Sequence, residues 1–144
     1  MNTQLAMKSG LLATAAMTAL MLMAPIMGMP EMPIGKMLAE FMNIPVVLGW
    51  VMHVMIGVGL AVGYILFFRD KISAPPAVKG MLFGMIPFLM AQLVVMPMMG
   101  MGVFTSAAGP MQMQMIMGSL MGHLIYGLVL GLTAEEKKVT ALGS

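Results

Sequence analysis

Apolar residues run almost unbroken through four stretches of the chain, residues 11–29, 46–68, 81–102 and 113–133, and the polar and charged residues gather between them. Each stretch has about 18 to 23 residues, roughly 27 to 34 Å of helix, enough to cross a hydrocarbon core of about 30 Å. The pattern predicts an all-α polytopic membrane protein, a four-transmembrane-helix bundle forming one domain over residues 1–134. Lys8 precedes the first stretch as it would in a signal peptide, but no small-x-small cleavage site follows and three more spans do. That stretch is therefore read as an uncleaved first helix.

The connections carry their own patterns. Between the first two spans, I-G-K-M-L-A-E-F-M sets Lys36 and Glu40 four apart, opposite Met37, Leu38 and Phe41. This predicts a short interfacial helix on the membrane surface. R-D-K-I-S-A-P-P-A-V-K has the charge and double proline of a solvated turn, residues 103–110 are uncharged, and residues 135–144 form a polar tail. Pro87 and Pro97 should kink the third span.

Charge sets an orientation. With the amino end inside, Lys8, Arg69, Lys71, Lys79, Lys137 and Lys138 fall on one side and only Lys36 on the other. The positive-inside bias predicts that both termini are cytoplasmic, with Trp50 near the outer interface. The motif P-x-M-G-M occurs at residues 25–29 and 97–101, an offset of 72, while His53 and His123 are 70 apart. These repeats suggest two duplicated helical hairpins related by an axis along the membrane normal.

Composition narrows the function. At 60% hydrophobic and 8% charged residues the chain is too apolar for a soluble domain, and a net charge of +2 gives no basic patch for nucleic acid. With no cysteine, disulfides, thiolate metal sites and cysteine nucleophiles are excluded. The partners that remain are membrane lipid and, through G-x-x-x-G pairs such as Gly59 and Gly63 or Gly80 and Gly84, a larger membrane complex or a second copy.

The candidate chemistry centres on the two histidines. Gly49 and Gly57 lie one turn either side of His53, and Ser119 and Gly127 one turn either side of His123, leaving a shallow groove beside each ring. In the first reading the rings are simply hydrogen-bonded, His53 to Gln92 and His123 to Tyr126 or Ser119, in a non-enzymatic accessory or structural subunit. Nothing in the chain resembles a nucleophile and base with a third orienting group. A second reading is b-type haem held between His53 and His123, without the C-x-x-C-H of covalent attachment. A third uses the 24 methionines, a soft ligand set that suits copper(I) binding or transport, with Met27, Met29, Met98, Met99, Met101, Met111, Met113 and Met115 at one membrane level. Against it, methionine is also a flexible apolar filler.

The combination of G-W-x-x-H-x-x-x-G at Gly49, Trp50, His53 and Gly57, V-V-M-P-M-M-G-M-G-V-F at residues 94–104, and H-L-I-Y-G-L-V-L-G at residues 123–131 resembles a family of small bacterial inner-membrane proteins. That family is catalogued only as a domain of unknown function, and the likeness extends through Thr133. The resemblance implies a four-helix inner-membrane protein with His53 and His123 at the family's recurring histidine positions. It implies no substrate, and it leaves Gln92 where an apolar residue is expected.

Overall fold

The computed structural model describes residues 2–135 and contains no strand among them. Helix α1 (Thr3–Met23) is capped by Asn2, whose side chain accepts the Leu5 amide at 3.2 Å, and it ends in a tight 3₁₀ turn, Ala24–Met27. The short α2 (Ile34–Met42) leads into α3 (Val46–Phe67). Helix α4 (Pro76–Met90) continues through a wide π turn, Ala91–Val95, into a last turn, Met96–Met98. A 3₁₀ stretch, Val103–Met111, precedes α5 (Gln112–Thr133). Four of these helical segments, Thr3–Met27, Val46–Phe67, Pro76–Met98 and Val103–Thr133, are long and apolar enough to cross a membrane.

Two spans begin earlier than their apolar runs. Helix α1 starts at Thr3 and takes in Lys8, because Asn2 satisfies a free amide before the hydrophobic stretch begins. Helix α4 starts at Pro76, which has no amide to leave unpaired in a first turn. Lys79 is thereby drawn inside the fold, where its Nζ reaches the Arg69 carbonyl at 3.2 Å and the Glu135 carboxylate at 2.9 Å. The Arg69 guanidinium donates to the Ala134 carbonyl at 3.0 Å, so these charges tie α3, α4 and α5 together at one end. Lys137, Lys138 and nearly all of the 135–144 tail lie outside the described residues.

The helices form two antiparallel hairpins, α1 with α3 and α4 with α5, joined where α1 meets α5. Both hairpins are built on the same small-residue contacts. A Cβ added to Gly10 would lie 2.8 Å from Val58 and 3.3 Å from the Gly57 carbonyl; one added to Gly80 would overlap the Gly127 carbonyl. Gly57 meets Thr14, and Gly84 meets the turn of His123 and Gly127. Gly10 and Gly80, Thr14 and Gly84, His53 and His123, and Gly57 and Gly127 are each 70 apart. The two extra residues of the 72-residue proline repeat fall between these contacts and the prolines. There α4 widens into a π turn, which uses more residues to gain the same height, whereas α1 stays α-helical to Met23 and tightens into its 3₁₀ turn only around Pro25 itself. The π turn also relieves the clash of the Pro97 ring with the preceding turn.

The pairing is not symmetric throughout. Gly118 and Gly122 let α5 close on α1, with Met17 and Met32 filling the space beside them. The residues at the equivalent positions of α3 are Leu48 and Met52, and α3 meets α4 chiefly through rings at the charged end. There Phe83 lies 5.2 Å from Tyr64 and 5.3 Å from Phe68. Toward the other end α3 and α4 diverge, and α2 covers the gap from above. Its Gly35 sits against Trp50, its Leu38 and Ala39 turn inward, and Phe41, expected on the same apolar face, is left half exposed.

Gln92 lies in the π turn, 0% exposed, and neither atom of its amide has a partner among the described residues. An unpaired buried amide costs about 1 to 3 kcal/mol. Gln92→Met, close in shape, is expected to raise the thermal midpoint in detergent by a few degrees. A lower midpoint would show that the amide has a partner the helices do not provide.

Candidate functional site

Four stripes of side chains face the space between the diverging helices. Thr14, Met17, Thr18 and Met21 follow one face of α1; His53, Ile56, Gly57 and Leu60 follow one face of α3; Ser119, His123 and Tyr126 do so on α5. On α4, Pro87, Met90, Val95 and Met96 turn toward them. Together, with Thr18 at the margin and Met32, Ile34 and Leu38 above, they wall a cavity of about 270 Å³. Its floor is a hydrogen bond between helices, from the Tyr126 hydroxyl to the Gly57 carbonyl at 2.5 Å. Its side is open between α3 and α4, where Ile56, Ile86 and Met90 are about half exposed.

Both histidines line this chamber, and their hydrogen bonds leave them unequal. His123 Nδ1 lies 2.7 Å from the Ser119 carbonyl one turn back. A carbonyl only accepts, so Nδ1 carries the proton and Nε2 of the neutral ring keeps its lone pair. The ring is braced by the edge of Phe88, centroid to centroid 5.9 Å. An imidazole held through Nδ1 by a carbonyl is the arrangement of a histidine that binds through Nε2. His53 instead has Nε2 at 3.1 Å from Thr18 Oγ1, with Trp50 edge-on at 6.0 Å.

Several expected roles are redistributed. His53 pairs with Thr18, not Gln92, which does not line the chamber; Thr18 and Phe88 occupy equivalent places beside the two rings, 70 residues apart. Ser119 serves His123 through its carbonyl, and Tyr126 serves Gly57. Gly57 and Ser119 do line the space around the rings. Gly49 is taken up by Gly35 and Ala39 of α2, and Gly127 by Gly80 of α4, so neither opens room there.

The methionines separate into groups. Met27 and Met29 join Met21, Met32 and Met121 around a small second cavity of about 30 Å³. Met98 and Met113 are 63% and 67% exposed, and Met111 is also exposed. Met115 is buried, Met99 and Met101 half-buried, and none of these three lines either cavity. The eight methionines expected at one level therefore do not share one cavity. The chamber has its own five, Met17, Met21, Met32, Met90 and Met96, that the alternating and repeated motifs did not mark. Their signal was helical phase: Met17 and Met21 share the face of Thr14 and Thr18. Among the described residues no group of three or more His, Cys, Asp or Glu is placed to hold a metal.

The model of a family described as a family of unknown function (DUF6789) matches residues 1–139, and the chain belongs to that family. No curated protein and no solved structure matches it.

Proposed function

We propose that this member of a family of unknown function is a non-enzymatic membrane protein that binds copper(I) in the chamber between its four spans. The observation that carries this reading is the chamber's lining, where two imidazoles and five thioethers meet in one cavity. Thioethers are soft, neutral donors that favour copper(I), and imidazole, also neutral, accepts copper among other transition metals. No carboxylate lines the space, so a hard divalent ion would have nothing to balance its charge. We read the protein as one of a bacterial inner membrane; the positive-inside count supports cytoplasmic termini, and α2 with the methionine-rich end then faces outward.

A second reading rests on the side opening. The gap between α3 and α4 would admit a planar apolar group, and haem is the one that two imidazoles bind. The Thr18 bond at His53 Nε2 would have to break for haem as it would for copper(I). The accessory-subunit reading keeps one surface, since most of the paired glycines are spent inside the bundle: Gly59 and Gly63 on α3 meet nothing within 4 Å.

The test is a competition titration of detergent-purified protein with copper(I) bicinchoninate under argon, with absorption spectra and X-ray absorption on the same sample. One tightly held copper(I) per chain with both sulfur and nitrogen neighbours is the expected result. Failure to retain copper would overturn the reading, and a Soret band after expression with haem available would replace it with the haem one.

A further inference from the structure

The smaller cavity lies beside the chamber and shares two residues with it. Met21 and Met32 line both; Met27, Met29 and Met121 line only the smaller one. At about 30 Å³ it has room for one water-sized occupant. Gly118 makes this room, since a Cβ there would lie 3.2 Å from the Met29 methyl and 3.4 Å from the Met32 sulfur. The cavity stands at the α2 end of the bundle, where Met27 is mostly exposed and Met121 partly so. Its lining is otherwise aliphatic, so the thioethers are its donor groups.

We propose that this five-methionine pocket is a loading site, which takes copper(I) from a donor outside the bundle and passes it through Met21 and Met32 to the histidine chamber. The inference rests on the chamber binding copper(I). Thioether ligands are neutral and exchange one for another without a proton being lost or gained, and methionine's unbranched side chain lets a sulfur move with the ion. The metal stays copper(I) throughout, leaving its donor's ligands for Met27 and Met29 and then exchanging these for the shared pair. The geometry separates entry from storage. Met27, Met29 and Met121 set how fast the ion arrives, and the residues of the chamber set how tightly it is held.

The experiment is stopped-flow uptake from copper(I) bicinchoninate by full-length protein in lipid nanodiscs, where the gap between α3 and α4 faces acyl chains. Met27→Leu with Met29→Leu conserves volume and is tolerated in cores, and circular dichroism and thermal midpoint check that the fold is kept. Uptake is expected to slow by roughly tenfold or more, with stoichiometry and equilibrium affinity unchanged. Met98→Leu with Met111→Leu, outside both cavities, is expected to load at the wild-type rate. Wild-type rates in the Met27, Met29 variant would overturn the loading site alone, as would equal slowing in both variants. No uptake by the wild-type protein would overturn the chamber reading and the loading site with it.

Discussion

Gly127→Ala is expected to prevent the last two spans from closing, leaving protein that aggregates on extraction or melts far below the wild type. The added methyl would overlap the Gly80 carbonyl, and its next neighbour is the Met81 Cα at 3.1 Å. Both are backbone, so no side chain can swing away; the helices must separate and give up the close approach that Gly80, Gly84 and Gly131 share. Overpacking a core costs about 1 to 3 kcal/mol where side chains can adjust, and this contact should lie at or above the top of that range. Gly80→Ala should behave alike. The contrasting variants are Gly59→Ala and Gly63→Ala, where nothing lies within 4 Å. Each replaces a poor helix former by the best one, so each should be neutral or stabilising by up to about 1 kcal/mol. Size-exclusion profile and thermal midpoint in one detergent separate the pairs. A well-folded Gly127→Ala would show that the α4–α5 contact is not what closes the bundle.

That the G-x-x-x-G pairs differ so sharply was not readable from the chain. The motif marks a helix face on which backbones can meet, but not whether another helix lies there. Gly59 and Gly63 have the same spacing as Gly80 and Gly84, and only the folded bundle tells them apart. The spans were plain in the apolar runs, because a lipid-facing helix is apolar all round and its length is set by the bilayer. Their starts were less plain, since Asn2 and Pro76 extend the helices by capping chemistry and not by hydrophobicity. The duplication was visible in two motifs with discordant offsets, and the discord has a physical cause in the π turn that precedes Pro97 and has no counterpart before Pro25. The histidines were marked at once by polarity in an apolar run. Their partners were not, because Thr18 and Phe88 reach them across helix pairs that sequence spacing does not specify.

The two histidines of the chamber should differ in what their loss does to copper(I) binding, and the order follows from their hydrogen bonds. His123 holds its ring through Nδ1 and the Ser119 carbonyl, so its Nε2 is free to bind without breaking anything. Losing an outer-shell partner of a metal ligand costs about 10- to 100-fold in affinity, and losing the ligand itself should cost at least the upper figure. His123→Ala is therefore expected to weaken copper(I) binding by about 100-fold or more. His53 must first give up Thr18 at the nitrogen it would use. A hydrogen bond is worth about 1 kcal/mol net, or roughly fivefold, so His53→Ala should cost less than His123→Ala by about that factor. Thr18→Val keeps the side-chain shape and removes the competing hydroxyl, and it should tighten binding by about fivefold. Competition titrations of the three variants against one chelator read all of these shifts. Tighter binding in Thr18→Val would mark His53 as a ligand, since a ring that only hydrogen-bonded to Thr18 would lose its orientation and gain nothing. Equal losses in the two alanine variants, with Thr18→Val unchanged, would mean that the Thr18 bond does not set the order of the ligands.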